Sequence, residues 1–366
     1  MKKNKKLLII IGMVVLMGIT LVGILRNRQQ EVDDNVIRIG AILPLTGRYS
    51  DNGNSVKIGM DLATEFLNSN NVSNTYKVVY YDTKSEIKNV SIGFNKLNDI
   101  DEVDMFITTM SDNSMVLKPL AIKARKLLFC LASHAEITNN NGGFVFQAAN
   151  TGADETKFIS DYVKKHYADN RIFLYAFNTD AGLDIAKTLA DEFPENLIGE
   201  NLYNEDLSNL KSIVAPNIYK NANRIVVIGY SPYMGLIIKA LREAGYLGDI
   251  FCNIGFNSAS IISAAGDAAR SVHFVDYAFP YGSALDKKRN DAALAKWGVP
   301  FTAMSYLSYE ILVLLNDAIT QMEVFEGGKL GQRLRVGQSW HIDGIEFYTA
   351  PNASIKPKLI MRMLEK

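Results

Sequence analysis

Residues 37–63 read IRIGAILPLTGRYSDNGNSVKIGMDLA. The stretch opens as an apolar run with Ile37, Ile39 and Ile42, passes through Pro44-Leu45-Thr46-Gly47, and continues into residues 54–67. There Val56, Met60, Ala63 and Leu67 recur at helical spacing. Strand, turn and amphipathic helix in that order form the opening unit of a parallel α/β sheet. Open sheets of this kind take ligands beyond the carboxyl ends of their strands, so the loop is a candidate site. It offers the neutral groups of Thr46, Tyr49, Ser50 and Asn52 and the cation of Arg48. The same loop also reads as a plain surface turn with Gly47 at positive φ. No Gly-Lys-Ser/Thr follows, and Gly40, Gly47 and Gly53 do not fit G-x-G-x-x-G, so nucleotide binding is unsupported.

The alternation continues outward. Strands are expected at 36–43, 76–81, 105–109, 127–131, 144–148, 172–177, 197–203, 224–229, 250–252 and 272–277. Helices are expected at 86–97, 115–125, 154–166, 183–192, 207–219, 235–244 and 304–322. Tail strands fall at 344–348 and 359–363, and the basic stretch 327–337 reads as a solvated loop. These are too many strands for one sheet, and the chain has 366 residues, so two lobes are expected. The expected division is 36–148 plus 280–335 for lobe 1 and 149–279 plus 336–366 for lobe 2. Crossovers fall near residue 149, at Ala278-Phe279-Pro280-Tyr281-Gly282, and ahead of the tail strands.

Composition narrows the function classes. Hydrophobic residues make up 48% and charged residues 21%, as in a globular protein. The 39 basic and 39 acidic residues cancel, so no surplus points to nucleic acid. Lys2, Lys3, Lys5 and Lys6 precede an uncharged run from Leu7 to Leu25, and Arg26 and Arg28 follow it. At about 1.5 Å per residue the run nearly spans a bilayer core of about 30 Å. Residues 1–30 therefore read as an export signal retained as a membrane anchor. The other reading is a long signal peptide cut near Gly18-Ile19-Thr20. Both place the rest of the chain outside a bacterial cytoplasmic membrane. Cys130 and Cys252 sit in separate apolar segments and read as two buried thiols. His134, His166, His273 and His341 have no partner at ligand spacing, so no metal or other cofactor is expected.

Catalytic patterns fail. Gly229-Tyr230-Ser231-Pro232-Tyr233 carries tyrosine where a nucleophile elbow needs glycine, and Ser231 ahead of Pro232 reads as a helix N-cap. Met110-Ser111-Asp112-Asn113-Ser114 follows a strand and opens a helix. Its hydroxyls and free N–H groups could hold a carboxylate, or simply cap the helix. Ser133, His134 and Ala135 follow the next strand in a loop where His134 reads as solvated. No nucleophile–base–acid set appears, so no enzyme is expected.

Several stretches together resemble one family. The opening stretch, GYSPYMGLIIKALREAGYLGDIFCNIGFNSASIISAAGDAA, KPLAIKARK and GGFVFQAANTGADE look like the type I periplasmic solute-binding proteins of ABC importers, in the leucine/isoleucine/valine-binding branch. The similarity spans roughly residues 36–322. It implies two doubly wound Rossmann-like lobes joined by a three-strand hinge, closing on a small molecule without reaction. The implied partner is an ABC permease, and the implied state is a monomer. The loop with Arg48 and Tyr49 then lines the cleft mouth. Ser111, beside Asp112, resembles the serine that meets a ligand carboxylate, and Ser133-His134-Ala135 is a shortened version of the next binding loop. Tyr230 resembles the second-lobe tyrosine near the ligand.

Two positions depart from the family pattern. Ala181 stands where the family carries an aromatic ligand contact, and Ile254 where it carries the acid that pairs with an amino acid's ammonium. A buried ammonium without a carboxylate is costly. The expectation is therefore a carboxylate with a larger apolar or aromatic body, not a standard α-amino acid, unless Glu136 or Asp180 supplies the acid. The alternative function is a membrane-anchored ligand sensor or scaffold without a transport role.

Overall fold

The computed structural model describes residues 36–70, 74–204, 208–342 and 345–364, with the side chains of residues 180 and 181 left aside. The expected anchor at 7–25 lies outside the described residues. The first sheet holds β1 (Val36–Leu43), β2 (Thr75–Asp82), β3 (Met105–Thr109), β4 (Leu127–Leu131) and β5 (Val145–Gln147), all parallel, in the order β2-β1-β3-β4-β5. Helices α1 (Ser50–Asn70), α2 (Lys88–Asp99) and α3 (Ser111–Ala124) connect them. Both faces are covered, so the strands are apolar throughout and their residues divide between two cores. Met105, Ile107, Leu127 and Phe129 enter one, and Phe106, Leu128, Cys130 and Val145 the other.

The second sheet repeats the plan with α4 (Gly152–His166), β6 (Ile172–Phe177), α5 (Asp180–Glu192), β7 (Leu197–Tyr203), the single turn α6 (Leu210–Ile213), β8 (Arg224–Ile228), α7 (Pro232–Glu243), β9 (Asp249–Cys252), α8 (Ala259–Ala265) and β10 (Val272–Tyr277). The chain then returns to the first core with α9 (Ala284–Trp297), α10 (Ala303–Thr320) and α11 (Gly327–Arg333). A small antiparallel sheet follows: β11 (Gln338–Ile342), β12 (Ile345–Thr349) and β13 (Ile355–Pro357). Finally β14 (Leu359–Met363) joins the second sheet antiparallel to β10, giving the order β14-β10-β9-β8-β6-β7. Cys130 and Cys252 are free, buried thiols in different cores.

Three expectations need correction. Residues 336–357 do not join lobe 2. Trp340, Ile342, Ile345, Phe347 and Ile355 are buried in the first lobe's core, and only β14 crosses over. The helix expected over 207–219 shrinks to α6, because Pro216 pushes Ala215 away from helical backbone. The basic stretch 327–337 is not a solvated loop. Leu330 and Leu334, one helical turn apart, are fully buried, and Arg335 donates to Asn141 Oδ1 at 3.0 Å. The helix α9 was not expected at all.

The chain passes between the lobes around residues 148–151, 278–283 and 357–359. Charged groups pin these crossings. Lys356 of the small sheet meets Asp154 of α4 at 2.7 Å. Asp276, fully buried at the end of β10, accepts from Arg362 (2.7 Å), Asn257 (3.0 Å), and the Tyr281 hydroxyl (3.0 Å).

Candidate ligand-binding cleft

A cavity of about 570 Å³ lies between the two lobes, at the carboxyl ends of the parallel strands of both sheets. Its first-lobe wall begins with the loop after β1. Asp82 holds that loop by accepting from Leu45 N (2.9 Å), Thr46 N (3.1 Å), Thr46 Oγ1 (2.7 Å) and Lys84 N (2.8 Å). Burial works to raise the Asp82 pKa, but these donors outweigh it and hold the pKa low. Gly47 takes φ of +87°, and α1 approaches so closely that a Cβ on Gly53 would lie 2.1 Å from the Pro44 carbonyl oxygen. Thr46 is thus a scaffold group and does not reach the cleft, whereas Arg48, Tyr49 and Asn52 line it.

The rest of that wall comes from the next two strand ends. Thr109 donates to Asn52 Oδ1 at 2.7 Å, tying β3 to α1. Met110 sits at φ +70°, a strained backbone for a side chain of its size, and leads directly into Ser111 at the cleft. Ser133 follows β4, and its hydroxyl lies 3.1 Å from the Tyr230 hydroxyl of the other lobe. Of the expected residues, Arg48, Tyr49, Ser111, Ser133, Tyr230 and Ile254 all line the cavity. Asp112, His134 and Ala135 do not. Asp112 is exposed on α3, and His134 is spent on local structure, its Nδ1 accepting from Glu136 N at 3.1 Å to cap the turn that contains Ala135. The side chain of Ala181 lies outside the described residues.

The second-lobe wall is where the sequence was misleading. Glu155 on α4 lines the cavity and is only 1% exposed. Its Oε2 accepts from the backbone N–H of Ile254 at 3.0 Å. Burial raises its pKa to about 8. Burial and the nearby Glu155 charge in turn push the Tyr230 and Tyr277 hydroxyls up, so both stay protonated. Glu136 is not part of the wall; the acid beside position 254 is Glu155. A signal was present: Glu155, Ile159 and Val163 share one helix stripe, so a charge sits on a buried face. Ser231 occupies the N-cap position of α7, yet its hydroxyl makes no cap bond and is buried without a partner. The side wall is apolar, with Ile58, Trp297, Val299, Pro300 and Met304. Most of it follows the unexpected helix α9.

The family model for periplasmic binding proteins matches residues 36–351. The chain belongs to the periplasmic binding protein family. This family is a solute-binding receptor class and not an enzyme class, and membership implies an extracytoplasmic location. Among solved structures, the branched-chain amino acid transporter substrate binding protein LivJ from Streptococcus pneumoniae, in complex with isoleucine, is 20% identical with a TM-score of 0.81, covering 90% of this chain and 96% of that one. The leucine binding protein LivK from Thermotoga maritima is 19% identical with a TM-score of 0.79, covering 90% and 96%. A solute binding protein of an ABC transporter from Rhodopseudomonas palustris, in complex with 3,4-dihydroxy benzoic acid, is 17% identical with a TM-score of 0.79, covering 91% and 94%. A search of curated protein sequences finds no match. The likeness to these structures shows the type I binding-protein fold. Among the described residues no helix is long and apolar enough to cross a membrane, and no group of His, Cys, Asp or Glu could hold a metal ion.

Proposed function

We propose that this periplasmic binding protein captures a small carboxylate with a bulky apolar or aromatic body and delivers it to an ABC permease, held at the membrane by residues 7–25 and acting as a monomer. The cleft carries this reading. It offers the hydroxyl and helix-start N–H of Ser111 and the hydroxyl of Ser133 on one side, and a broad apolar wall from Trp297 to Met304 on the other. The ligands of two neighbours share that chemistry: isoleucine and 3,4-dihydroxybenzoic acid are both carboxylates on an apolar or aromatic body. Residues 36–148 and 280–357 form the first jaw and residues 149–279 and 358–364 the second, closing about the three crossings.

A thermal-shift panel on the full chain tests it. A ligand at about 100 times its Kd stabilises by roughly 2.7 kcal/mol, a rise of several degrees. Aliphatic and aromatic carboxylates are expected to raise the melt, and their amides or alcohols are not. A panel in which no carboxylate moves the melt contradicts the reading.

A further inference from the structure

We propose that the cleft has a second, outer subsite where α1 meets the turn between α9 and α10, and that it takes the apolar tail of a medium-chain carboxylate whose head sits at Ser111. This rests on the solute-receptor reading above and adds a length requirement to it. Asp51, Asn54, Ser55 and Ile58 recur at helical spacing on α1 and all line the cavity, so the space continues along the helix for two turns. Its inner end is fixed where Thr109, two residues before Ser111, donates to Asn52 Oδ1 at 2.7 Å. Its outer end is fixed where α10 docks on α1. There Ser308 Oγ donates to the Val56 carbonyl at 2.9 Å, and a Cβ on Gly59 would lie 2.0 Å from the Ser305 carbonyl oxygen. That docking brings Met304, one residue ahead of Ser305, to the level of Ile58. From Asn52 to Ile58 the helix rises about 9 Å. A carbon–carbon bond of about 1.5 Å advances an extended chain by somewhat less, so the run takes roughly seven carbons beyond a carboxyl.

The chemistry of the outer end is apolar. Three polar side chains along the run are spent on the protein itself. Asn54 Nδ2 donates to the Leu45 and Ser50 carbonyls, both at 2.9 Å, Lys57 pairs with Asp61 at 2.5 Å, and Thr302 caps α10 by accepting from Ser305 N. The surface offered to a tail is Ile58, Trp297, Val299, Pro300 and Met304, which binds by excluding water. The turn is also held before a ligand arrives. Lys296 pairs with Glu65 of α1, Gly298 closes α9 at φ +72°, and Asn290 Oδ1 accepts from Phe301 N at 3.1 Å. A subsite ordered in advance loses little entropy on binding. Length is then read by shape. A short acid leaves the Trp297 end wet, an acid of about eight carbons fills it, and a longer one runs past it.

The test uses the full chain and calorimetric titration with butyrate, hexanoate, octanoate and decanoate. Each methylene buried in the outer subsite should tighten binding roughly two- to fourfold. Octanoate should therefore bind about 30-fold or more tighter than butyrate, and decanoate no tighter than octanoate. Trp297→Ala combined with Met304→Ala should bring the octanoate-to-butyrate ratio below about fivefold. That ratio is blind to a general loss of folded protein, so a merely structural role for the two side chains would leave it unmoved. Octanoate binding no tighter than butyrate overturns the inference, as does a gain that continues through decanoate or a ratio that survives both substitutions. The length series is read in the unmutated protein, so the test does not depend on a variant folding. If no acid of any length binds, the carboxylate-receptor reading itself fails, an outcome distinct from binding that ignores length.

Discussion

The two walls of the cleft are built on opposite principles. The first-lobe wall is satisfied from within: Asp82 gathers four donors, Thr109 bonds Asn52, and Gln147 bonds the carbonyls of Ala132 and His134. The second-lobe wall holds Asn150 Oδ1, buried with no protein hydrogen-bond partner, and the buried acid Glu155, one oxygen of which accepts from the Ile254 N–H. Buried polar groups in proteins are normally paired. A wall that leaves a buried polar atom unpaired at the cavity has a place for a ligand group, whereas a wall that pairs its own is a scaffold. The contrast assigns shape to the first lobe and selection to the second.

The largest test of that contrast is the pH dependence of stability. The Glu155 pKa is raised by folding, from 4.5 to about 8, so the folded state binds more protons across that window. Its stabilising contribution is fully present below the unfolded pKa and drains as pH rises through the folded value. Unfolding free energy should therefore fall by up to about 1.4 kcal/mol per pH unit between roughly pH 5 and 8. Denaturant titrations of Glu155→Gln should lack this slope; an unchanged slope would remove Glu155 from the selecting wall. Next comes Asp82→Ala, which orphans the loop donors and should cost about 2–3 kcal/mol with weaker ligand binding, read from chemical denaturation. If it costs nothing, the first wall is not a scaffold.

Gly53→Ala should cost about 1–3 kcal/mol, because the new methyl meets the Pro44 carbonyl oxygen. Ser231→Ala should change the melt of the free protein by no more than about 0.5 kcal/mol, since no bond is lost. A large loss there would show that Ser231 belongs to the paired class.

How much of this was legible follows the same division. Residues 37–63 gave the fold, because strand, turn and helix periods are local. Ser111 and Ser133 were readable because each follows a strand end, where an open sheet presents its ligand groups, whereas Tyr230 and Ile254 were named through the family resemblance. His134 and Asp112 were placed in the cleft by proximity in sequence. The local turn at Glu136 and the outward face of α3 decide otherwise. Trp297 and Met304 reach the cavity only through the return of α9 and α10 to the first lobe, a long-range packing event with no local signature. Glu155 was visible as a charge on a buried helix stripe. What lay across from it, the backbone of residue 254, was not.

The most direct measurement uses one of the two tryptophans, Trp297, which lines the cleft. With Trp340→Phe removing the other signal, the emission of the full chain is followed during titration with aliphatic and aromatic carboxylates. The account predicts a saturable change at Trp297 for carboxylates. Carboxylates that stabilise the protein while leaving Trp297 unchanged would place the ligand elsewhere and contradict it.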